Sequence, residues 1–357
     1  MVKVGVIGMG FGAAVHVPAC RYVQGLELVA LADHGSGRAL KCASELSHPV
    51  TVFQSGREAV LWEGVDAVCI ATPATTQSGL VRAALLAGKH VLCEKPFGKN
   101  SDEVSELLSI GKKQNLLISA CYEFRYDPLI QKLALLVQSG QLGRIQNVSV
   151  RWHAASGLNP SRRWRWRNDA NQCGGVLVDW CSHALDYCCF ILQDKVKSVQ
   201  CRTEIRVPML RNENDVELEV TAPDLCEMEC KFVSGAWASF SVSNTQQSGL
   251  GHRIEFFGDD GWACFHLKPP FRSSDKSLSW FSKHGSGEQR VQTEIDYGKD
   301  DRILAMSNLM ADFAGAISTG AKSKFLPTCE DAHHIWRVIE AAERSHALGH
   351  VQERVVF

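Results

Sequence analysis

The chain has no surplus of charge of either sign: 38 Lys and Arg stand against 39 Asp and Glu, a formal net charge of −1 over 357 residues. That balance withholds the basic field a nucleic acid or an anionic membrane attracts, so neither partner is expected. Long apolar runs are missing too. No stretch approaches the roughly 18 apolar residues that span a bilayer, and 45% hydrophobic with 22% charged residues is the composition of a soluble globular protein. The amino terminus lacks the apolar segment and cleavage pattern of a signal peptide and enters a strand at once, which points to the cytoplasm. Cysteine is plentiful at 14, but Cys-x-x-Cys pairs are absent and the residues are scattered, so they read as reduced thiols packed as small apolar groups. Cys173 and Cys181 lie near His183 in sequence, yet their spacing fits no standard zinc pattern and no metal is expected.

What is present begins with strand, glycine turn and helix. Lys3–Ile7 alternates and is rich in valine, Gly8-Met9-Gly10-Phe11-Gly12-Ala13 follows, and helical patterning starts near Ala14. Glycines there permit a tight turn and a close backbone approach to a pyrophosphate, which the helix amino terminus receives. Ala13 takes the third position of the usual pattern. The next strand, Leu26–Ala32, ends in Asp33, about where an acid hydrogen-bonds an adenosine ribose. A carboxylate there favours NAD by repelling a 2′-phosphate, while the nearby Arg38 leaves NADP open; the structural alternative for Asp33 is a turn residue ahead of His34-Gly35-Ser36-Gly37.

Helices at Gly37–Leu46, Ser55–Trp62, Ser78–Ala87 and Ser101–Gln114 then alternate with strands at Val50–Phe53, Ala67–Ala71, His90–Cys93 and Leu116–Cys121. This order predicts a parallel sheet covered on both faces, with its ligand crevice at the carboxyl ends of the strands. Thr72, Pro73, Glu94 and Lys95 fall at that edge and join Gly8, Gly10, Phe11, Gly12 and Asp33 as candidate cofactor contacts. A lysine directly after a buried strand is placed to hold a substrate oxygen; an exposed loop lysine is the alternative.

The length calls for two domains, since single cores seldom grow past about 250–300 residues. The first is expected over 1–122 and the second over 123–357. In the second, strands are expected at Ile145–Trp152, Val196–Val207, Leu225–Phe232, Ala236–Ser243, Arg253–Phe257 and Trp262–His266, a pattern that builds an open, largely antiparallel sheet. Ser273–Gly287 reads as a surface loop, and helices near Arg302–Ser318 and Cys329–Leu348 close the chain. The run Arg162-Arg163-Trp164-Arg165-Trp166-Arg167 suits an anionic sugar, through guanidinium forks and an indole face, or a loop whose arginines are solvated or paired internally. In Gly174-Gly175-Val176-Leu177-Val178-Asp179-Trp180-Cys181-Ser182-His183, one helix would set Asp179 and His183 on one face, four residues apart. That puts an acceptor beside a group that titrates near neutrality.

In their order, Gly8-Met9-Gly10-Phe11-Gly12, Ala71-Thr72-Pro73, Glu94-Lys95-Pro96, Phe124-Arg125-Tyr126-Asp127-Pro128 and Gly174-Gly175 with Asp179 and His183 resemble the motifs of the glucose–fructose oxidoreductase and inositol dehydrogenase (Gfo/Idh/MocA) family. The resemblance covers nearly the whole chain. It implies an α/β protein, an amino-terminal Rossmann dinucleotide-binding domain with a carboxyl-terminal α+β domain, acting as an NAD(P)-dependent dehydrogenase on sugars, polyols or related hydroxy compounds. It implies Lys95, Asp179 and His183 as the catalytic group, and Asp179 and His183 join Arg125 and Trp166 as candidate substrate contacts. It also implies a subunit interface on the free face of the second sheet, hence a homodimer or homotetramer. Gln77 stands where the family often has histidine, and Glu123 near a common asparagine. The alternatives are an imine or carbon–carbon double bond as substrate, NAD held as a recycled cofactor, or a cofactor-binding sensor without turnover.

Overall fold

Apolar runs, buried along most of their length except in the outermost strand Thr51–Phe53, become the strands of a six-stranded parallel sheet in the computed structural model, which describes residues 1–247, 251–269, 275–293, 300 and 302–356. They are β1 (Val2–Ile7), β2 (Leu26–Ala32), β3 (Thr51–Phe53), β4 (Ala67–Ile70), β5 (His90–Glu94) and β6 (Ile118–Cys121). Their spatial order, β3-β2-β1-β4-β5-β6, is that of a doubly wound dinucleotide-binding sheet. The first helix starts at Gly12, ahead of the expected Ala14, as one π-helical turn (Gly12–His16) that runs into Val17–Cys20. Ala74–Leu86 also starts earlier than its expected Ser78, because Pro73 enters it with an extended backbone and a φ of −57° already compatible with a turn.

The first compact unit comprises Met1–Tyr126 and Tyr297–His333, the second Asp127–Asp296 and His334–Phe357. The single division expected after residue 122 therefore gives way to a chain that leaves the first unit and returns to it. The reason is burial: Met306, Leu309, Met310 and Phe313 of helix Arg302–Thr319 share one core with Val4, Val6, Val15 and Leu28. Tyr126 Oη donates to Asp312 at 2.7 Å on the same helix.

In the second unit, period-two patterning decides which side chains face in. β7 (Ile145–His153), β8 (Val196–Glu204), β11 (Leu225–Phe232) and β12 (Trp237–Ser243) bury Val148, Val150, Val199, Cys201, Met228, Cys230, Ala238 and Phe240, and turn Ser149, Arg151, Gln200, Arg202, Glu227, Ser239 and Ser241 outward. A short hairpin, β9 (Met209–Arg211) with β10 (Glu217–Glu219), stands apart from the main sheet. With β13 (Gly251–Gly258), β14 (Gly261–Leu267), β15 (Lys276–Ser282), β16 (Gln289–Gln292) and β17 (Glu353–Arg354), the main sheet runs β16-β15-β14-β13-β7-β12-β11-β8-β17. Among the described residues of this sheet, only β7 and β12 pair in parallel. The expected loop Ser273–Gly287 is corrected here: its serines read as loop, but Lys276–Ser282 pairs with β14 through seven residue partners and buries Leu278. Ser273 and Ser274 lie outside the described residues. Among the described residues no single helix is long and apolar enough to cross a membrane. All fourteen cysteines carry free thiols.

Candidate active site

The turn after β1 takes its shape from three glycines with three different reasons. Gly8 has a φ of +99°, and a Cβ on it would meet the Ala71 carbonyl at 2.6 Å. A Cβ on Gly12 would press on Val6 Cγ1 at 3.0 Å, so Gly12 supplies the close helix–strand packing expected of Ala13, which is half-buried. Gly10 is exposed, and a Cβ there would meet nothing within 4 Å. Protein packing gives Gly10 no reason to be small, whereas a ligand lying on its backbone does. Phe11 is the residue before the helix. Asp33 directly follows β2 and is buried, and its carboxylate accepts from Gly35 N at 2.8 Å, Ser36 Oγ at 2.7 Å and Ala39 N at 3.0 Å. Burial pushes this carboxyl up, but the donors from Ala39, Ser36 and Gly35 win and hold it below its ordinary value. It is thus the turn residue and an ionised acceptor at the end of β2, and these residues fit a dinucleotide.

At the carboxyl edge of β4 and β5, Gln77 is a clamp. Its Nε2 donates to the Thr72 carbonyl at 3.0 Å and its Oε1 accepts from Gly98 N at 2.9 Å, which ties the loop after β4 to the loop after β5. Glu94 ends β5, is buried, and lies 2.9 Å from Nε2 of the fully buried His16. Lys95 follows, part-buried. Glu123, two residues past β6, is buried as well. Burial first, then the charge of Glu94, pushes its carboxyl up to about 8, against the pull of Lys95 and Arg302. Within the first unit, then, Lys95 shares its field with two buried carboxyl groups, one of which is neutral at pH 7. His16, Glu94 and Cys121 also come close enough to suit a metal ion, a set different from Cys173, Cys181 and His183. Here the imidazole already has the carboxylate as its partner, and burial raises the Cys121 thiol well above its ordinary value.

In the second unit, Gly175 has a φ of +88° and a Cβ on it would strike Pro223, while Val176 N donates to the Pro223 carbonyl at 2.8 Å. The helix expected to run through Asp179 and His183 is broken between them. The segment Ala170–Asp179, which ends in the helix Val176–Asp179, meets Cys181–Leu192 at 46°, with Trp180 at φ −102° and ψ −42° between them. Asp179 pairs with Arg167 Nε at 3.3 Å, and the Arg167 guanidinium lies 4.2 Å from the centre of the Trp166 ring. His183 is 5% exposed. Trp152 on β7 stands beside it, ring centres 6.5 Å apart, and stacks on Trp180 at 4.9 Å and on His252 at 4.2 Å.

The remaining expectations divide. Arg125 is 4% exposed in the first unit and pairs with Asp331 at 3.2 Å. In the Arg/Trp run, Arg163 pairs with Asp215 at 2.9 Å, and Trp164 is held by its Nε1 on the Glu219 carbonyl, also at 2.9 Å. Sequence reasoning missed Arg167 as the partner of Asp179, and Trp152, Trp180 and His252 as the surroundings of His183. For Trp180 a signal existed, since it sits inside the Asp-x-x-x-His segment.

A model of the oxidoreductase family with an NAD-binding Rossmann fold matches residues 2–122, and one of the GFO/IDH/MocA carboxyl-terminal domain matches residues 130–264. An uncharacterized oxidoreductase of Synechocystis sp. is 30% identical over 261 residues, 72% of this chain and 70% of that one. Myo-inositol 2-dehydrogenase of Thermotoga maritima is 26% identical over 262 residues, 72% of this chain and 73% of that one. Among solved structures, levoglucosan dehydrogenase in complex with NADH and levoglucosan has a TM-score of 0.89 at 19% identity over 99% of each chain, a likeness of fold.

Proposed function

The chain belongs to the GFO/IDH/MocA family of NAD-binding oxidoreductases, and from that premise we propose that it is a dehydrogenase of a sugar, polyol or related hydroxy compound. The reaction is hydride transfer between nicotinamide and a carbinol or carbonyl carbon. One observation supports the reading most: Lys95 leaves the carboxyl end of β5, the sheet edge where open α/β sheets take their ligands. Bound NAD supplies the hydride acceptor. To the chain's own residues we assign these roles: His183 takes the hydroxyl proton, Lys95 donates to a substrate oxygen and stabilises developing charge, and Asp179 orients the substrate. Asp33, ionised, repels a 2′-phosphate and selects NAD over NADP. The relative that acts on myo-inositol and the structural neighbour bound to levoglucosan point the same way on substrate class.

The deciding experiment is Lys95→Met. Turnover of NAD with a polyol panel should fall by about 10²-fold or more. Turnover within about threefold of wild type removes Lys95 from the chemistry.

The outer face of the second sheet carries Trp237, Phe257 and Phe281, each about 40% exposed, and a hollow of about 580 Å³ between Arg151, Arg202 and Glu227. We assign this face to a homodimer or homotetramer contact. Sedimentation of the purified chain as a monomer at micromolar concentration would remove that assignment.

A further inference from the structure

His252, Trp152 and Trp180 form a ladder of rings that climbs out of the core of the second unit. Its inner rung is fixed. His252 is 0% exposed, pairs across the sheet with Trp152 in register, and has Nε2 2.9 Å from Tyr187 Oη. Trp152 lies on it almost face to face, at 4.2 Å and 11°, and Trp180 lies on Trp152 at 4.9 Å and 27°. The two tryptophans are part-exposed, so burial falls from the inner rung to the outer.

Three features separate the outer rung from ordinary core. Trp180 sits at the break between two helical segments, where an aromatic residue gains nothing from helix propensity. It is bonded directly to Asp179 and lies within one turn of His183. The rim beside it is charged, since Asp179 and Arg167 form an ion pair there. Burial, reinforced by the charges of Lys276 and His266, holds His252 neutral by pushing it down to about 3, so the ladder itself carries no charge. A neutral aromatic surface next to a charged, hydrogen-bonding rim matches a molecule with two unlike faces. Cyclitols and pyranoses are of that kind, with C–H groups gathered on one face of the ring and hydroxyls around its edge. An open-chain polyol presents no such face.

We propose that Trp180, held in place by Trp152 and His252, is the wall against which a cyclic polyol or pyranose stacks, and that it selects ring substrates over open-chain ones. This inference rests on the dehydrogenase reading for its substrate class, and its test therefore includes a readout that needs no turnover.

In the full chain with NADH bound, saturation-transfer NMR is recorded with myo-inositol, D-xylose and D-sorbitol, alongside steady-state rates with NAD. Trp180→Ala should weaken ring-substrate binding, or raise its KM, about tenfold while leaving kcat and the open-chain probe within about twofold. Trp180→Phe should keep the selectivity and Trp180→Leu should lose it, and this pair decides the matter if the alanine variant does not fold. Equal losses for ring and open-chain probes, unchanged ring binding in Trp180→Leu, or no saturation transfer to either ring probe in the wild-type protein overturns the proposal. Ring binding that is lost in Trp180→Leu, without NAD reduction by any probe, keeps the stacking wall and defeats the dehydrogenase reading instead.

Discussion

Each unit surrounds its candidate catalytic residues with buried ring or acid groups, and the two do so by opposite means. Around Lys95 the first unit buries titratable groups: Glu94, Glu123 and His16 are each less than a tenth exposed. Around His183 the second unit buries neutral rings, His252 and the inner face of Trp152. A buried acid with a raised pKa makes a region sensitive to pH across the neutral range. Stacked neutral rings fix shape and stay indifferent to pH until the inner imidazole is forced to charge.

The strongest way to break this contrast is at Glu123. Its folded-state value of about 8 lies above the ordinary 4.5, so its stability contribution is full below pH 4.5 and is lost as pH rises towards 8. Each pH unit in that window removes up to about 1.4 kcal/mol. Glu123→Gln should abolish the loss: the variant should melt above wild type at pH 7, with the gap widening from pH 5 to pH 8. Parallel melting curves across that range would show that Glu123 is not held neutral.

A somewhat smaller effect is expected at His252, in the opposite direction. Its folded-state value of about 3 lies below the ordinary 6.5, so the stability it permits is full above pH 6.5 and is lost as pH falls from there towards 3. His252→Phe keeps a ring for Trp152 to stack on and removes the titration. Its melting temperature should decline less than that of wild type between pH 6.5 and pH 4.5, with a small offset at neutral pH from the lost contact to Tyr187. Equal decline in both proteins would place the acid sensitivity elsewhere.

Much of this was legible in the residues because it rests on local rules. The strand and helix spans of the first unit follow from alternation, apolar runs and punctuating glycines, and Leu225–Phe232 and Ser101–Gln114 fall where those rules put them. Local rules failed at Ser273–Gly287, where serines suggest a loop and pairing with β14 makes a strand. They failed at Trp180 as well, where spacing suggests one helix and the chain bends. At Arg125, a residue type that often meets anions on surfaces is itself buried and pairs with the half-buried Asp331.

The sequence by itself determined the doubly wound sheet, the glycine turn, Asp33 at the end of β2 and Lys95 at the end of β5, because each depends on neighbours a few residues away. Only the tertiary structure decided that Arg302–Thr319 completes the first core, that Glu123 is neutral, that Arg167 answers Asp179, and that Trp152 brings His252 and Trp180 into one stack. Those outcomes depend on distance through space and on the dielectric around a group. Both are fixed only after segments far apart in the chain have packed.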